Sequence, residues 1–379
     1  MKDSKHILVL GSGIVGRAAA WDLARRGHDV TVADEDADAA DAVAAEFGIA
    51  ALQLDVRDWT STEDLMRDHD AVVAAVPYVF GFDLAKCAVA AGSHYFDFGG
   101  NPTVVKKQLQ LDGLARGHDV AIVPDCGLAP GLANVLAAGL IEEAEAQEVD
   151  SVQIRVGCLP QHPRGALQYQ LAFYPGGLIN EYAEPCEIVS NGKKMTVEPL
   201  TRLESLEWKG WNTLEAFATA GGTSTMCHDY EGIVRDLEYK TIRYPGHGQA
   251  FRAMLEIGLF EDDKRTVGGT EMAPRALLED LLAEHLPQDE LDLVLLRVEA
   301  EAERVSTTLE MVDRHDGRFS ALARTTAFPA TALCDLVVRR EVKFVGAAAM
   351  HNVAPPDLLM RELAAVGLTV ETETDGYDG

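Results

Sequence analysis

The chain has 379 residues, 47% of them hydrophobic, and 33 Lys+Arg against 61 Asp+Glu give a formal net charge of −28. Its length predicts two domains with sizeable cores. The acid is spread along the chain, which argues against nucleic acid and anionic membranes as partners. No apolar stretch approaches about 18 residues, so no membrane span is expected. Met-Lys-Asp-Ser-Lys-His leads straight into the first apolar run, leaving no room for a signal peptide. Six scattered cysteines contain no Cys-x-x-Cys pair, which predicts reduced thiols in a cytoplasm, no disulfide framework and no metal site.

Residues 7–16 read Ile-Leu-Val-Leu-Gly-Ser-Gly-Ile-Val-Gly. The apolar run predicts a buried parallel strand, and an amphipathic helix follows over 14–26. A second strand, 29–33, ends in Asp34, 23 positions after Gly11. That order is a dinucleotide-binding fingerprint. Gly11 permits the tight turn, Gly13 lets backbone approach a pyrophosphate, and Gly16 lets helix and strand pack closely. The N–H groups of Ser12, Gly13, Ile14, Val15 and Gly16 are then free to hold phosphates, aided by the helix dipole. Asp34 is placed to accept hydrogen bonds from ribose hydroxyls. Glu35, Asp36 and Asp38 follow it with no Arg or Lys nearby in sequence. A 2′-phosphate there would meet like charge, costing roughly 1–4 kcal/mol per close pair, so NAD is expected over NADP.

Further strands are expected at 50–54, 70–76, 94–98 and 119–123, with helices between them such as 82–91 and 102–116. Six strands alternating with helices predict an α/β fold, a doubly wound parallel sheet over residues 1–125. Strand ends on one side of such a sheet line the cofactor crevice. Asp55 and Val56 after the third strand, Val76-Pro77-Tyr78 after the fourth and Asn101 after the fifth are therefore cofactor candidates.

Residues 126–325 read as a second, α+β domain with a mixed sheet. A helix is expected at 129–142, with Pro130 at its first position. Strands are expected at 151–157, 168–174, 187–190, 193–197, 239–244 and 291–303, with Asn191-Gly192 as a hairpin turn. Residues 326–370 supply helices that return to the first domain, and 371–379 form an acidic tail expected to fray. Strand alternation over 239–247 puts Tyr239, Thr241 and Arg243 on one face and Lys240, Ile242 and Tyr244 on the other. An Arg beside a cleft can hold a carboxylate bidentately. His247 opens a helix, where the dipole disfavours its charged form and suits a neutral base. Cys126, in Pro-Asp-Cys-Gly-Leu-Ala-Pro-Gly at 124–131, is expected to be a packed thiol.

Those two segments, with Val-Pro-Tyr at 76–78, Asp-Phe-Gly-Gly-Asn at 97–101 and Gly-Gly-Thr-Ser-Thr at 221–225, resemble the saccharopine dehydrogenase superfamily over about residues 6–368. Within it the chain is most similar to the L-lysine 6-dehydrogenases. The resemblance implies NAD-dependent oxidative deamination of lysine at its ε-carbon, with Arg243 on the substrate α-carboxylate and a homodimer built through the second domain. Saccharopine-type chemistry on a larger substrate, with Arg155, Arg164 and Arg235 meeting added carboxylates, and a non-catalytic NAD sensor are the alternatives. His247, Lys240 and Asp125 are the candidate catalytic bases, and Arg243, Tyr169 and Thr223 the candidate substrate-binding residues for a small amino acid.

A surface this acidic repels itself until salt screens it. The melting temperature is expected to rise steadily from about 0.1 to about 3 M KCl. A melting temperature flat with salt would remove the case for adaptation to a salty cytoplasm.

Overall fold

In a computed structural model, which describes residues 4–144, 149–288, 290–303 and 305–376, the chain divides into two compact units. The first runs to Gly139 and includes Ala323–Thr369; the second is Leu140–Leu322 with the segment from Val370. The expected boundaries at 125 and 325 are thus corrected. The loop after Pro124 and most of the following helix, Leu132–Glu143, pack with the first unit, because Gly139 meets Pro356 there.

The first unit is built on seven parallel strands. From one edge they run Gly346–Ala347, Ala121–Val123, His94–Asp97, Ala71–Ala74, His6–Leu10, Asp29–Asp34 and Ala50–Gln53. His6–Leu10 pairs with Asp29–Asp34 on one side and Ala71–Ala74 on the other, so the strand order reverses there. Such a switch point opens a crevice at the carboxyl ends of the strands. Ile7, Leu8, Val9 and Leu10 are wholly buried, as a strand covered on both faces requires.

Charge ties the returning helix to this unit. Asp22 is wholly buried and accepts hydrogen bonds from Arg25 (2.6 Å), Arg26 (2.7 Å) and the Thr331 hydroxyl (2.6 Å). Arg26 also reaches Glu362 (3.0 Å) and Asp335 (3.3 Å). Asp335 meets the His28 ring at 2.7 Å and pairs with Arg339. Thr331 and Asp335 stand on the helix Ala321–Val338. By length and composition that helix could cross a membrane, contrary to the expectation that no stretch would qualify. It is spent inside the protein, however, with 89% of its length buried.

The second unit carries a mixed sheet of nine strands among the described residues. At its centre Val234–Arg243 runs parallel to Val149–Pro160 and antiparallel to Leu214–Ala218. Asp292–Ala302 and Val305–Arg314 extend the sheet. The hairpin Cys186–Ser190/Lys193–Val197 turns at Asn191-Gly192 as expected. Three expectations fail. Residues 168–174 form no strand. Pro130 lies in the loop before the helix, where the Asn134 side chain accepts the Gly131 N–H at 2.7 Å. The expected frayed tail is a strand over Glu371–Gly376, which pairs with Val305–Arg314, and its last three positions, 377–379, lie outside the described residues; alternating Thr gives this acidic segment one face suited to a strand. All six cysteines are free and buried.

Burial alone would raise the Asp335 carboxyl, but the His28 hydrogen bond and the Arg26 and Arg339 charges hold it below 3.8. Its stabilisation is therefore present above the unfolded value of 3.8 and lost as pH falls through the lower folded value. Asp335→Ala strands the buried cations and is expected to cost about 3–5 kcal/mol near neutrality. Urea unfolding of both proteins checks this, and the difference should shrink as pH falls below the carboxylate range.

Candidate active site

At the switch point the chain builds a cradle with an open mouth. The Gly11 N–H donates to the Ala33 carbonyl (2.8 Å). Gly11 has φ +95°, and a Cβ there would lie 2.4 Å from the Ala75 oxygen. A Cβ on Gly16 would lie 2.0 Å from the Gly11 carbonyl oxygen. Nothing approaches a Cβ on Gly13. The helix Ile14–Arg25 has no side-chain cap and no acid in its first turn. Ile14 and Gly13 face outward, Ser12 and Val15 are half-buried, and the first-turn N–H groups are free to meet an anion. The geometry therefore fits the pyrophosphate of a dinucleotide.

Asp34 closes this cradle. Its carboxylate accepts from the Ser12 N–H and hydroxyl (both 2.7 Å) and from the Asp36 N–H (3.0 Å). Burial would raise its pKa, but these donors outweigh burial and lower it. One sequence expectation is corrected here. Arg57 reaches Glu35 at 3.3 Å and Asp55 at 2.7 Å, so a cation does lie beside the acid cluster, brought there by the turn after Ala50–Gln53. Val56 and Val76 pack on the core of this unit, Pro77 is exposed, and Tyr78 opens a short turn, Tyr78–Phe80. Gly100 approaches the Tyr78 ring. The Asn101 oxygen caps the helix Pro102–Leu109 through the Thr103 and Val104 N–H groups, so that oxygen is spent on structure. Asp125 is buried and its carboxylate packs on Gly99. Cys126 is fully buried beside the Val123 carbonyl, and burial pushes its thiol well up, as a packed thiol requires.

The second unit holds a separate cluster around Arg243, which is only 3% exposed. Its Nε donates to the Tyr182 hydroxyl (3.0 Å) and its Nη1 to the Ile242 carbonyl (3.0 Å). Its guanidinium lies over the Tyr169 ring, 5.0 Å from the centroid. His247 Nδ1 is 2.9 Å from the Leu167 carbonyl and Nε2 is 3.0 Å from the Tyr182 hydroxyl. A carbonyl only accepts, so Nδ1 carries the proton and Nε2 accepts from Tyr182. Burial and the Arg243 charge together hold His247 down to about 3. It is a neutral strut, corrected from its expected role as a base, because both ring nitrogens are occupied.

Lys240 is corrected too. It lies on the opposite face of the same strand and pairs with Glu204 and Glu238, which also hold Arg155. Thr223 is buried, and its side chain hydrogen-bonds the Cys227 thiol in its own loop. Two residues not singled out from sequence join Arg243: Tyr182, and Glu181 beside it on the helix Pro175–Ala183. Burial pushes the Glu181 carboxyl up to about 7, against the pull of Arg243. The i, i+1, i+4 apolar spacing of Leu178, Ile179 and Tyr182, behind Pro175 at the helix start, was the available signal.

A parallel sheet with this strand order and an uncapped glycine-rich helix start defines a nucleotide-binding domain of the Rossmann type. Residues 7–123 match the saccharopine dehydrogenase NADP binding domain and residues 127–368 match the saccharopine dehydrogenase C-terminal domain. The chain belongs to the saccharopine dehydrogenase family. It is 24% identical over 282 residues to the Pyricularia oryzae saccharopine dehydrogenase (NADP(+), L-glutamate-forming), covering 69% of this chain and 59% of that protein. It is 23% identical over 271 residues to the rat mitochondrial alpha-aminoadipic semialdehyde synthase, covering 68% of this chain and 29% of that one. The chain thus spans less than two thirds of these relatives' length. The structure of apo histidine-tagged saccharopine dehydrogenase (L-Glu forming) from Saccharomyces cerevisiae superposes with a TM-score of 0.82 at 20% identity, covering 98% of this chain and 100% of the other.

The glycines separate folding from binding. Gly13→Ala places a methyl in open space and should leave the melting temperature unchanged while weakening dinucleotide binding at least about tenfold. Gly11→Ala forces a clash at positive φ and should lower the melting temperature as well. Nucleotide fluorescence titration beside thermal melts checks both.

Proposed function

We propose that the protein is a nicotinamide-dependent oxidoreductase of amino-acid C–N bonds, and that its substrate is L-lysine. It would be oxidised at the ε-carbon to an imine, which water converts to the 6-semialdehyde and ammonia, and the semialdehyde then cyclises. The observation that carries this reading is the buried guanidinium of Arg243, stacked on Tyr169 with Nη2 making no hydrogen bond among the described residues. A desolvated cation with a free end is suited to one carboxylate. When bound, the dinucleotide supplies a hydride acceptor. The chain's own part is to grip its pyrophosphate at Gly11–Gly16, orient the amino acid at Arg243 and hold the reacting nitrogen neutral. Free lysine ionises near pH 10.4, so the neutral amine at pH 7 costs roughly 4.6 kcal/mol, which desolvation and a base must offset.

The names of the relatives favour a second reading, a saccharopine-type reaction. Saccharopine carries additional carboxylates. The arginines considered for them are each paired: Arg155 with Glu204 and Glu238, Arg164 with Glu290, Arg235 with Asp150 and Asp236. That pairing supports the smaller substrate. NAD is proposed over NADP because Asp34, its pKa lowered, ends the strand where a ribose is expected, and Arg57 is held by Asp55 and Glu35.

Reduction of NAD⁺ and NADP⁺ with L-lysine, L-saccharopine and L-ornithine tests this, at about pH 9.5 where more amine is free. Lysine turnover with NAD⁺, rising from pH 7 to 10, is expected, and Arg243→Lys should lower kcat/KM by roughly 100-fold. Turnover of saccharopine alone would move the function to the second reading, and a preference for NADP⁺ would overturn the cofactor assignment.

A further inference from the structure

The geometry points to Asp55 as the residue that sets cofactor choice, by clamping Arg57, a 2′-phosphate ligand that it holds out of use. This rests on the reading of NAD over NADP above and adds the device that enforces it. In a Rossmann crevice an acid ending the second strand meets the ribose hydroxyls, whereas a nearby arginine accommodates a 2′-phosphate. This chain carries both. Asp34 ends the strand Asp29–Asp34, and the next residue, Glu35, lies 3.3 Å from Arg57 Nη2. The strand Ala50–Gln53 is fastened to the same place. The Leu54 N–H donates to the Asp34 carbonyl (2.8 Å) and the Gln53 amide to the Glu35 carbonyl (3.0 Å). The turn that follows is closed by the Asp58 N–H on the Asp55 carbonyl (2.9 Å), and it delivers Arg57 to the acids.

Asp55 decides what Arg57 does there. Its Oδ1 accepts the Arg57 backbone N–H (2.9 Å) and Nε (2.8 Å), and its Oδ2 accepts Nη2 (2.7 Å). The Nε–Nη2 edge is the fork that a phosphate would take, and a carboxylate two residues away already fills it. The backbone N–H keeps that carboxylate in position whatever the Arg57 side chain does. The other two acids are committed elsewhere. Asp34 accepts from Ser12 and from the Asp36 N–H. Asp36 caps the helix Ala37–Phe47 through the Asp38 and Ala39 N–H groups.

The Arg57 hydrogen bonds hold the Asp55 carboxyl below its ordinary value, so the clamp is charged at neutral pH. Both side chains are exposed, however, and an exposed pair is screened by water and salt. The lock is therefore one that a single substitution can open. A phosphate monoester carries close to two negative charges near neutrality, more than the carboxylate it would replace. Removing the Asp55 charge does two things: it takes one like charge from the neighbourhood and it frees the Arg57 fork. Only the second effect needs Arg57, so the two are separable. Asp55 is on this argument a positioning residue, which acts on the cofactor through Arg57.

The test is fluorescence titration of the full chain with NADH and NADPH, which differ only in the 2′-phosphate and bind without an amino-acid substrate. The quantity read is the ratio of Kd for NADPH to Kd for NADH. Asp55→Asn should lower that ratio at least about tenfold. In an Arg57→Gln background the same change should move it by less than about threefold. Arg57→Lys combined with Asp55→Asn should keep part of the gain, because an ammonium meets phosphate as a point charge without the fork. Thermal melts check that each variant is folded. A ratio unmoved by Asp55→Asn, or an equal fall with and without Arg57, would each overturn the proposal. The cofactor reading and this one fail separately. A wild type that prefers NADPH, with a further fall on Asp55→Asn that requires Arg57, would sink the NAD assignment and keep the clamp. A wild type that prefers NADH, with a ratio indifferent to Asp55→Asn, would do the reverse.

Discussion

A guanidinium withdrawn from water must be compensated, and the second unit is organised around that demand. Removing the charge of Arg243 from solvent would cost several kcal/mol without partners. The protein answers with dipoles and a π-face: the Tyr182 hydroxyl, the Ile242 carbonyl and the Tyr169 ring. A carboxylate in direct contact would neutralise the cation more fully, but it would also consume the bonds a ligand could use. Glu215, opposite Arg243 in the sheet register, is kept from such contact by the N–H groups of Gly246 and Gly248. The desolvated cation persists because neutral groups hold it in position.

That arrangement gives the histidine its meaning. The Leu167 carbonyl fixes one tautomer of His247, the tautomer makes the Tyr182 hydroxyl a donor to Nε2, and that hydroxyl's lone pair then receives Arg243 Nε. Each link sets the polarity of the next. A charged imidazolium would reverse the Tyr182 hydrogen bond and place a second cation beside the first, which is why burial and Arg243 both disfavour it. The first unit solves the opposite problem. There an unpaired helix start and three successive acids from Asp34 need no burial, because the crevice at the strand ends is open to water and free donors can wait solvated.

Legibility followed contact distance. The glycine cradle was readable because its parts lie within ten residues and their roles follow from backbone geometry alone. The face of Val234–Arg243 carrying Tyr239, Thr241 and Arg243 was readable from alternation, and the Thr219–Thr241 hydroxyl contact at 2.7 Å fits that side. What failed depended on partners far along the chain. Lys240 looked free until Glu204, 36 positions away, was folded onto it. His247 looked like a base until Leu167 and Tyr182 took both nitrogens. Arg57 stands 22 residues from Glu35, so a local scan for cations missed it. Glu181 and Tyr182 sit on a helix that was not read at all, since the preceding apolar residues suggested a strand that tertiary packing overrode.

The proposed chemistry places two amines of one substrate in opposite charge states. Hydride can leave the far carbon only if its nitrogen has a lone pair, whereas the α-nitrogen is most useful as a cation that anchors the molecule. In solution the order is the reverse, because the ε-amine is the stronger base. Desolvation at the far end lowers the proton affinity of that amine, while an α-nitrogen left near water keeps its own. A site that dehydrates one end of the substrate more than the other would therefore do more than select amino acids. It would set which nitrogen keeps its proton, and so which carbon is oxidised.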